Sequence, residues 1–296
     1  MPMLGERPDL EMKTVVFATD FSPCSKNAGA FASHIARFFS ARLLVAHAFW
    51  LSHAATEAEI DLPLLSQQRK DLNFRLSRIA YSMASPALDA APVLLEGEPK
   101  MAIPKLADME APAMIVLGTH GAGRVAHGIL GSTAEQILRS TSWPTLTVGP
   151  NVPPPSVETF PFRRVLYATD FTPEATHAAP FAVLFAQAFG SGIDVLNVVD
   201  PSEIRHPDRI ADLQKRFYAA LDRVVPGQAR EFTDARTFIE AGEAHECILK
   251  HIRERNIDLL VLGIRKSSHL SMEMRTSSAF RLIADAACPV LTVRPA

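Results

Sequence analysis

Residues 13–49 read KTVVFATDFSPCSKNAGAFASHIARFFSARLLVAHAF, and residues 163–199 read RRVLYATDFTPEATHAAPFAVLFAQAFGSGIDVLNVV. The two stretches align without a gap at an offset of 150, with 12 of 37 positions identical, the run ATDF among them. Each opens on a short apolar run rich in β-branched and aromatic residues, the pattern of a buried strand. Each continues with apolar residues at helical spacing; in the first these are Ala28, Phe31, Ala32, Ile35, Phe38 and Phe39. Each closes on a second apolar run, residues 43–49 in the first. Strand, helix and strand in this order begin a parallel sheet covered by helices.

The repetition extends to the ends of the halves at a changed offset of 145. MIVLG followed by WPTLTVGP in residues 114–150 returns as LLVLG followed by CPVLTVRP in residues 259–295. A net deletion of five residues therefore lies inside the second half, and the chain is a diverged tandem duplication. Between the copies lies NVPPPSVETFPF, whose three consecutive prolines favour an extended path. The expected division is a first domain at 10–150, a linker at 151–162 and a second domain at 163–296.

In the first copy the patterns predict strands at 14–18, 43–49, 92–95, 114–118 and 145–148. Helices are predicted at 25–39, at 57–85 with a break near Pro63, at 99–109 and at 132–140, the last capped by Ser132 or Thr133. The second copy predicts strands at 165–169, 193–199, 236–240, 259–263 and 290–293, with helices at 175–189, 203–224, 243–255 and 277–286.

The chain's 296 residues suffice for two cores, and 48% hydrophobic content fills them. A formal net charge of -2 lacks the basic field that nonspecific nucleic-acid binding requires. The three cysteines, Cys24, Cys247 and Cys288, form no pair or metal spacing and fit a reducing, cytoplasmic setting. Neither a signal peptide nor an apolar run of spanning length is visible, so no membrane is expected.

Parallel α/β sheets bind ligands beyond the carboxyl ends of their strands, here after residues 18, 48 and 118. After the fourth strand stands Gly118-Thr-His-Gly121, then nine residues, then Gly131-Ser132-Thr133 and a helix. Glycines let backbone N–H groups approach an anion, and a helix N-terminus favours phosphate. The same residues also serve a plain reading, in which the glycines make turns and Ser or Thr caps the helix. After the first strand, Asp20 can accept a ribose hydroxyl or an adenine amino group, or it can cap the next helix with Ser22 and Pro23. No GK[ST] occurs, so this is not a Walker A loop.

These motifs resemble the universal stress protein family in tandem form, over nearly the whole chain. The residues that carry the resemblance are ATDFS with LLVAHAF, then VLGTHG, the nine-residue spacer, GSTAEQILR and WPTLTV. The resemblance implies two Rossmann-like α/β domains of the adenine nucleotide alpha hydrolase type, each a five-stranded parallel sheet of order 3-2-1-4-5. The glycine pattern is that of the family's ATP-binding branch. By the same resemblance Asp20 contacts the nucleoside, Ala48 after His47 lies by the adenine, Gly118 lies near the ribose, and Leu117 packs beside the ribose or base. Gly121, Gly131, Ser132 and Thr133 would hold the phosphates. The implied cofactor is ATP with Mg2+.

The second copy departs from this pattern. Gly263 keeps the first glycine, but Lys266 and Thr276 replace the others, and Glu273 joins the loop. Ser277 and Ser278 keep the hydroxyls, while Lys266, His269 and Arg275 leave room for an anion held by side chains. A degenerate, structural second half is expected, its side chains blocking backbone approach wherever φ is positive. Lesser candidates are His120, His127 and Arg124 in the first-copy loop, and Cys24 as a packed or reactive thiol. Cys247 and Cys288 read as core residues.

The expected function is an ATP-binding regulatory module of the stress response, with one competent site. Nucleotide would bias the loop at 122–130, which a protein partner reads. The alternatives are a slow ATPase or autophosphorylating enzyme and a nucleotide-free scaffold. The copies are expected to pair through their last strands as an intramolecular pseudo-dimer, with room for a further homodimer.

Overall fold

The computed structural model describes residues 12–49, 62–120, 130–155, 162–204, 235–264 and 278–295, together with residues 211, 215 and 219, which are helical. The first half runs β1 (Thr14–Ala18), α1 (Pro23–Phe38), β2 (Arg42–Phe49), α2 (Leu62–Met83), β3 (Ala90–Glu96), α3 (Pro99–Met109), β4 (Ala113–Gly118), α4 (Ser132–Ser140) and β5 (Thr145–Val148). The second runs β6 (Arg164–Ala168), α5 (Pro173–Phe189), β7 (Gly192–Val199), a 3-10 turn (Pro201–Ile204), β8 (Ala235–Ala241), α6 (Ala244–Arg255), β9 (Leu259–Gly263), α7 (Ser278–Asp285) and β10 (Val290–Val293). Among the described residues no helix is long and apolar enough to cross a membrane.

Each half is a parallel sheet of order 3-2-1-4-5. Its strands are apolar on both faces because both faces are covered. Val15, Phe17, Leu43 and Val45 face α1 and α2 with Phe31, Ile35 and Leu76. Val16, Leu44 and Ala46 face α3 and α4 with Ile103, Leu106 and Ile137. Alternation within a central strand thus feeds two cores.

The two sheets continue into one of ten strands, because β5 and β10 pair antiparallel. Leu146 stands opposite Leu291. The Thr147 hydroxyl donates to the Val290 carbonyl at 3.1 Å, and the Thr292 hydroxyl donates to the Thr145 carbonyl at 3.2 Å. On one face of this seam aromatic rings meet across the halves. Phe38 lies 4.3 Å from Phe189, Phe39 lies 5.7 Å from Phe185, and Phe31 lies 6.3 Å from Phe162. On the other face the Arg139 guanidinium sits 4.7 Å from the centre of the Phe280 ring, and Arg294 donates to the Arg139 carbonyl. Phe31, Phe162, Phe185 and Phe189 are buried, and full burial of such a ring contributes about 1.5–3 kcal/mol, whereas Phe38 stays exposed.

Local chemistry sets the helix starts. Ser22 caps α1, accepting from the Ser25 N–H, and Pro23 follows in the first turn; Thr172 and Pro173 repeat the arrangement for α5. α2 begins at Leu62 with Pro63 in its first turn, where the missing N–H costs nothing, and residues 57–61 of the predicted helix lie outside the described residues. Two expectations are corrected. The α4 cap is Gly131, without a side-chain bond, so Ser132 and Thr133 are the first helical residues. Cys247 is half-buried, whereas Cys288 is buried. The predicted helix at 203–224 lies mostly outside the described residues, apart from the 3-10 turn and the three helical positions noted above.

Candidate functional site

At the carboxyl ends of β1, β2 and β4, roofed by α3 and the start of α4, lies a cavity of about 320 Å³. That is the size range of small-molecule sites. Asp20, Ala48, Leu117, Gly118, Gly131, Ser132 and Thr133 all line it, drawn from four separate segments of chain. Gly121 lies outside the described residues, as do Arg124 and His127.

Asp20 is exposed at the cavity's edge. Its Oδ1 accepts from the Ser22 N–H at 3.0 Å, and no partner occupies Oδ2 among the described residues. Beside it Phe21 holds a positive φ of 64°, its N–H donating to Thr19 Oγ1 at 3.0 Å. The His47 Nδ1–H donates to the Thr19 carbonyl at 2.7 Å and its ring packs on Phe21, which lies 3.9 Å under the Arg75 guanidinium. Burial, aided by the nearby Arg75 charge, holds the His47 imidazole below its ordinary value despite the opposing Thr19 bond. The neutral ring is thus a fixed prop under the Asp20 loop.

The glycines have structural reasons of their own. A Cβ on Gly118 would stand 2.9 Å from the Ser25 nitrogen, and one on Gly131 would stand 2.7 Å from the Thr119 carbonyl oxygen. Gly131 has φ -60°, so the left-handed region plays no part; the requirement is its close approach to Thr119, sealed by Gly131 N–H to Thr119 O at 2.8 Å. That bond joins the two ends of the segment 120–131. Ser132 and Thr133 are exposed, at a helix start whose first N–H groups have no intrahelical acceptor.

The second half has its own cavity of about 480 Å³ at the equivalent place. Leu196 and Val198 stand where the first half has Ala46 and Ala48, Ile264 replaces Thr119, and Glu174 replaces Cys24. Leu138 and Arg139 of α4 complete its wall from the other half. Lys266, His269, Glu273, Arg275, Thr276 and Ser277 fall outside the described residues, and of Ser278 only the backbone is described.

Sequence reasoning missed two features. One is the hydroxyl set around the first cavity. Thr19 Oγ1 and Ser25 Oγ pair at 2.6 Å, Ser22 Oγ donates to the His120 carbonyl at 3.2 Å, and Thr119 Oγ1 pairs with His120 Nδ1 at 2.8 Å. The other is a charged network inside the second half. Asp194, wholly buried, takes bonds from Arg164 at 2.8 Å, Arg255 at 2.8 Å and His251 at 3.2 Å, and His251 also meets Glu240 at 3.1 Å. Burial pushes the Asp194 carboxyl up, but the hydrogen bonds from His251, Arg164 and Arg255 outweigh it and hold the group below the usual carboxylate range. The available signal was Asp194 itself, a charge in the middle of an apolar strand pattern.

With this geometry in hand, the chain can be set beside known proteins. The sequence model described as the universal stress protein family matches residues 11–149 and 161–294. A universal stress protein encoded in the QAH/OAS sulfhydrylase 3' region of Thermus aquaticus is 34% identical over 140 residues, which is 46% of this chain and 98% of that one. A universal stress protein of Methanocaldococcus jannaschii is 28% identical over 138 residues, covering 46% of this chain and 81% of its own. Among solved structures, a universal stress protein from Archaeoglobus fulgidus superposes with a TM-score of 0.72 at 19% identity, over 95% of this chain and 98% of that one. A putative universal stress protein from Pseudomonas aeruginosa gives 0.61 at 14% identity, over 97% and 95%. The family match spans both repeats, and the chain belongs to the universal stress protein family.

Proposed function

We propose that the first half binds ATP and that the protein is a cytoplasmic, nucleotide-dependent regulatory module with one competent site. The observation that carries this reading is the convergence on one cavity of an open carboxylate oxygen at Asp20 and, opposite it, the start of α4 with two exposed hydroxyls. The carboxylate suits ribose hydroxyls. The helix start with Ser132 and Thr133 suits phosphate oxygens. Between them Ala48 and Leu117 offer a flat apolar surface for a base. Among the described residues no three His, Cys, Asp or Glu side chains converge on a metal position, so Mg2+ here would be held through the triphosphate's own oxygens.

The second half serves as structural partner. Its cavity has Leu196 and Val198 in place of Ala46 and Ala48 and Ile264 in place of Thr119, and its loop lacks the second and third glycines. A protein partner would then read the first-half loop at 122–130 in its nucleotide-bound form.

The test is direct. Purified protein is denatured and released nucleotide is identified by mass spectrometry, and ATP affinity is measured by calorimetry. Ser132→Ala with Thr133→Ala, both at exposed positions, is expected to weaken ATP by about tenfold or more, since charge-assisted bonds are the stronger ones. Asp20→Asn is expected to weaken ATP and adenosine alike. Unchanged affinity in both variants would remove the site assignment.

A further inference from the structure

We infer that Thr119 and Ser22 are positioning residues that hold the corner at His120, and with it the phosphate end of the first cavity. This inference rests on the nucleotide reading above and deepens it.

Thr119 is almost wholly buried, and each of its polar groups is engaged. Its N–H donates to the Val148 carbonyl at 3.0 Å, fixing it to the end of β5. Its carbonyl accepts from Gly131, at the far end of the loop. Its hydroxyl pairs with the imidazole of the next residue, His120. Ser22, equally buried, caps α1 with its lone pair and gives its proton to the His120 carbonyl. His120 is therefore held on its side chain by Thr119 and on its backbone by Ser22. It is the residue before Gly121, and the bond from Gly131 to Thr119 places α4's start beside the same corner. A shift at His120 would thus move the phosphate end, while Asp20 and Ala48 stay propped by His47 and the β2 pairing.

The second half provides the contrast. It keeps the backbone bond, Ile264 N–H to Val293 O at 3.0 Å, but has no hydroxyl at Ile264. Its cap residue Thr172 turns its proton onto Asp170 at 2.7 Å. Tyr167, where the first half has Phe17, saturates Thr169 and the Ala175 carbonyl. The half whose glycine pattern is lost has lost the hydroxyl tie as well, while the backbone frame persists.

The test uses the full chain and two ligands. Thr119→Val removes only the hydroxyl, and Ile264 shows that the position accepts a β-branched apolar residue. ATP affinity is expected to fall about 3- to 10-fold, the range of one hydrogen bond, while adenosine affinity stays within about twofold. Ser22→Ala is expected to act in the same direction, and the double variant to lose little more than the single ones, because both residues act through one corner. Thr119→Ser and Ser22→Thr, which restore the hydroxyl, are expected to recover wild-type ATP affinity. Parallel losses for ATP and adenosine, or no loss of ATP, overturn the positioning role alone. Failure of the wild-type protein to bind ATP overturns the nucleotide reading and this inference together.

Discussion

At equivalent positions, the first half buries Leu44 and Leu106 where the second half buries Asp194 and His251. Leu95 and Thr14 correspond in the same way to Glu240 and Arg164. At the cavities the contrast reverses in character. In the first half the Ser22 hydroxyl reaches the loop after β4, where the Thr119 hydroxyl holds the His120 ring, and in the second half the Thr172 hydroxyl turns back onto its own loop. Duplication gave both halves one backbone plan, and divergence then altered different layers of it. In the second half a network of charges ties β6, β7, β8 and α6 together. In the first half the polar ties lie at the carboxyl ends of the strands. A fold of this kind tolerates either change because its strand pairings do not depend on them.

The largest expected effect tests the interior layer. Asp194→Leu installs the first half's residue but leaves Arg164, Arg255 and His251 without their shared acceptor. Breaking a buried pair on one side costs about 3–5 kcal/mol, and urea denaturation at neutral pH should show a loss of that order. A loss below about 1 kcal/mol would mean the network is no more than a surface-like contact. The pH dependence follows from the same group. The Asp194 carboxyl is held low in the folded state, so the unfolded chain binds more protons in acid. Its contribution is complete above the usual carboxylate range and is lost as pH falls through the folded value, below about pH 4. Melting temperatures across that range should fall more steeply for the wild-type protein than for Asp194→Leu.

A smaller effect separates structural glycines from ligand-binding ones. A Cβ on Gly263 would lie 2.0 Å from the Glu174 carbonyl oxygen, against 2.9 Å from the Ser25 nitrogen for one on Gly118. Both close contacts are to backbone, which cannot swing aside. Gly263→Ala should cost about 1–3 kcal/mol or more, exceeding Gly118→Ala, and should leave ATP affinity unchanged. Equal stability losses, or a loss of ATP binding from Gly263→Ala, would show that the two strand ends are not used as the contrast requires. That the glycine survives in the half expected to be degenerate already has a physical reason here, since the helix after the first strand of each copy packs against it, α1 on Gly118 and α5 on Gly263.

The fold was legible because hydrophobic periodicity and an internal repeat are backbone-level signals. The elements at 99–109, 132–140 and 259–263 coincide with the observed ones, and the pairing of the last strands is the intramolecular version of the family's dimer that the resemblance implied. The rule that ligands meet the carboxyl ends of parallel strands pointed to the place, and the resemblance to the family supplied Ala48 and Leu117 beside Asp20, Gly118, Gly131, Ser132 and Thr133, all of which line one cavity. What stayed hidden depends on side-chain direction. Thr119 was an unassigned position between two glycines, although its hydroxyl and both backbone groups are all used. Arg139 read as the end of a helix, yet it reaches the other half to stack on Phe280. His251 was unassigned on the predicted helix at 243–255, because its partners, Asp194 and Glu240, lie on two strands and are brought to it by the fold. Periodicity says which face is buried, and it does not say which polar atoms meet there.

The smallest effect gives the sharpest comparison, because its two arms should agree in one readout and differ in the other. Ser22 and Thr172 cap equivalent helices, each accepting the N–H three residues on. Replacing either by alanine removes a cap worth about 1 kcal/mol. The geometry favours Ser22 as the better cap, at 3.1 Å against 3.4 Å, so Ser22→Ala should be the slightly more destabilising of the two. In nucleotide binding the arms should separate. Thr172→Ala releases only Asp170, in its own loop, and should leave ATP binding untouched. Ser22→Ala also releases the His120 carbonyl and should weaken ATP without weakening adenosine. If the two variants lower ATP affinity equally, the cavities are coupled through the seam where α4 meets α7, and the halves are not as separate in function as their residues imply.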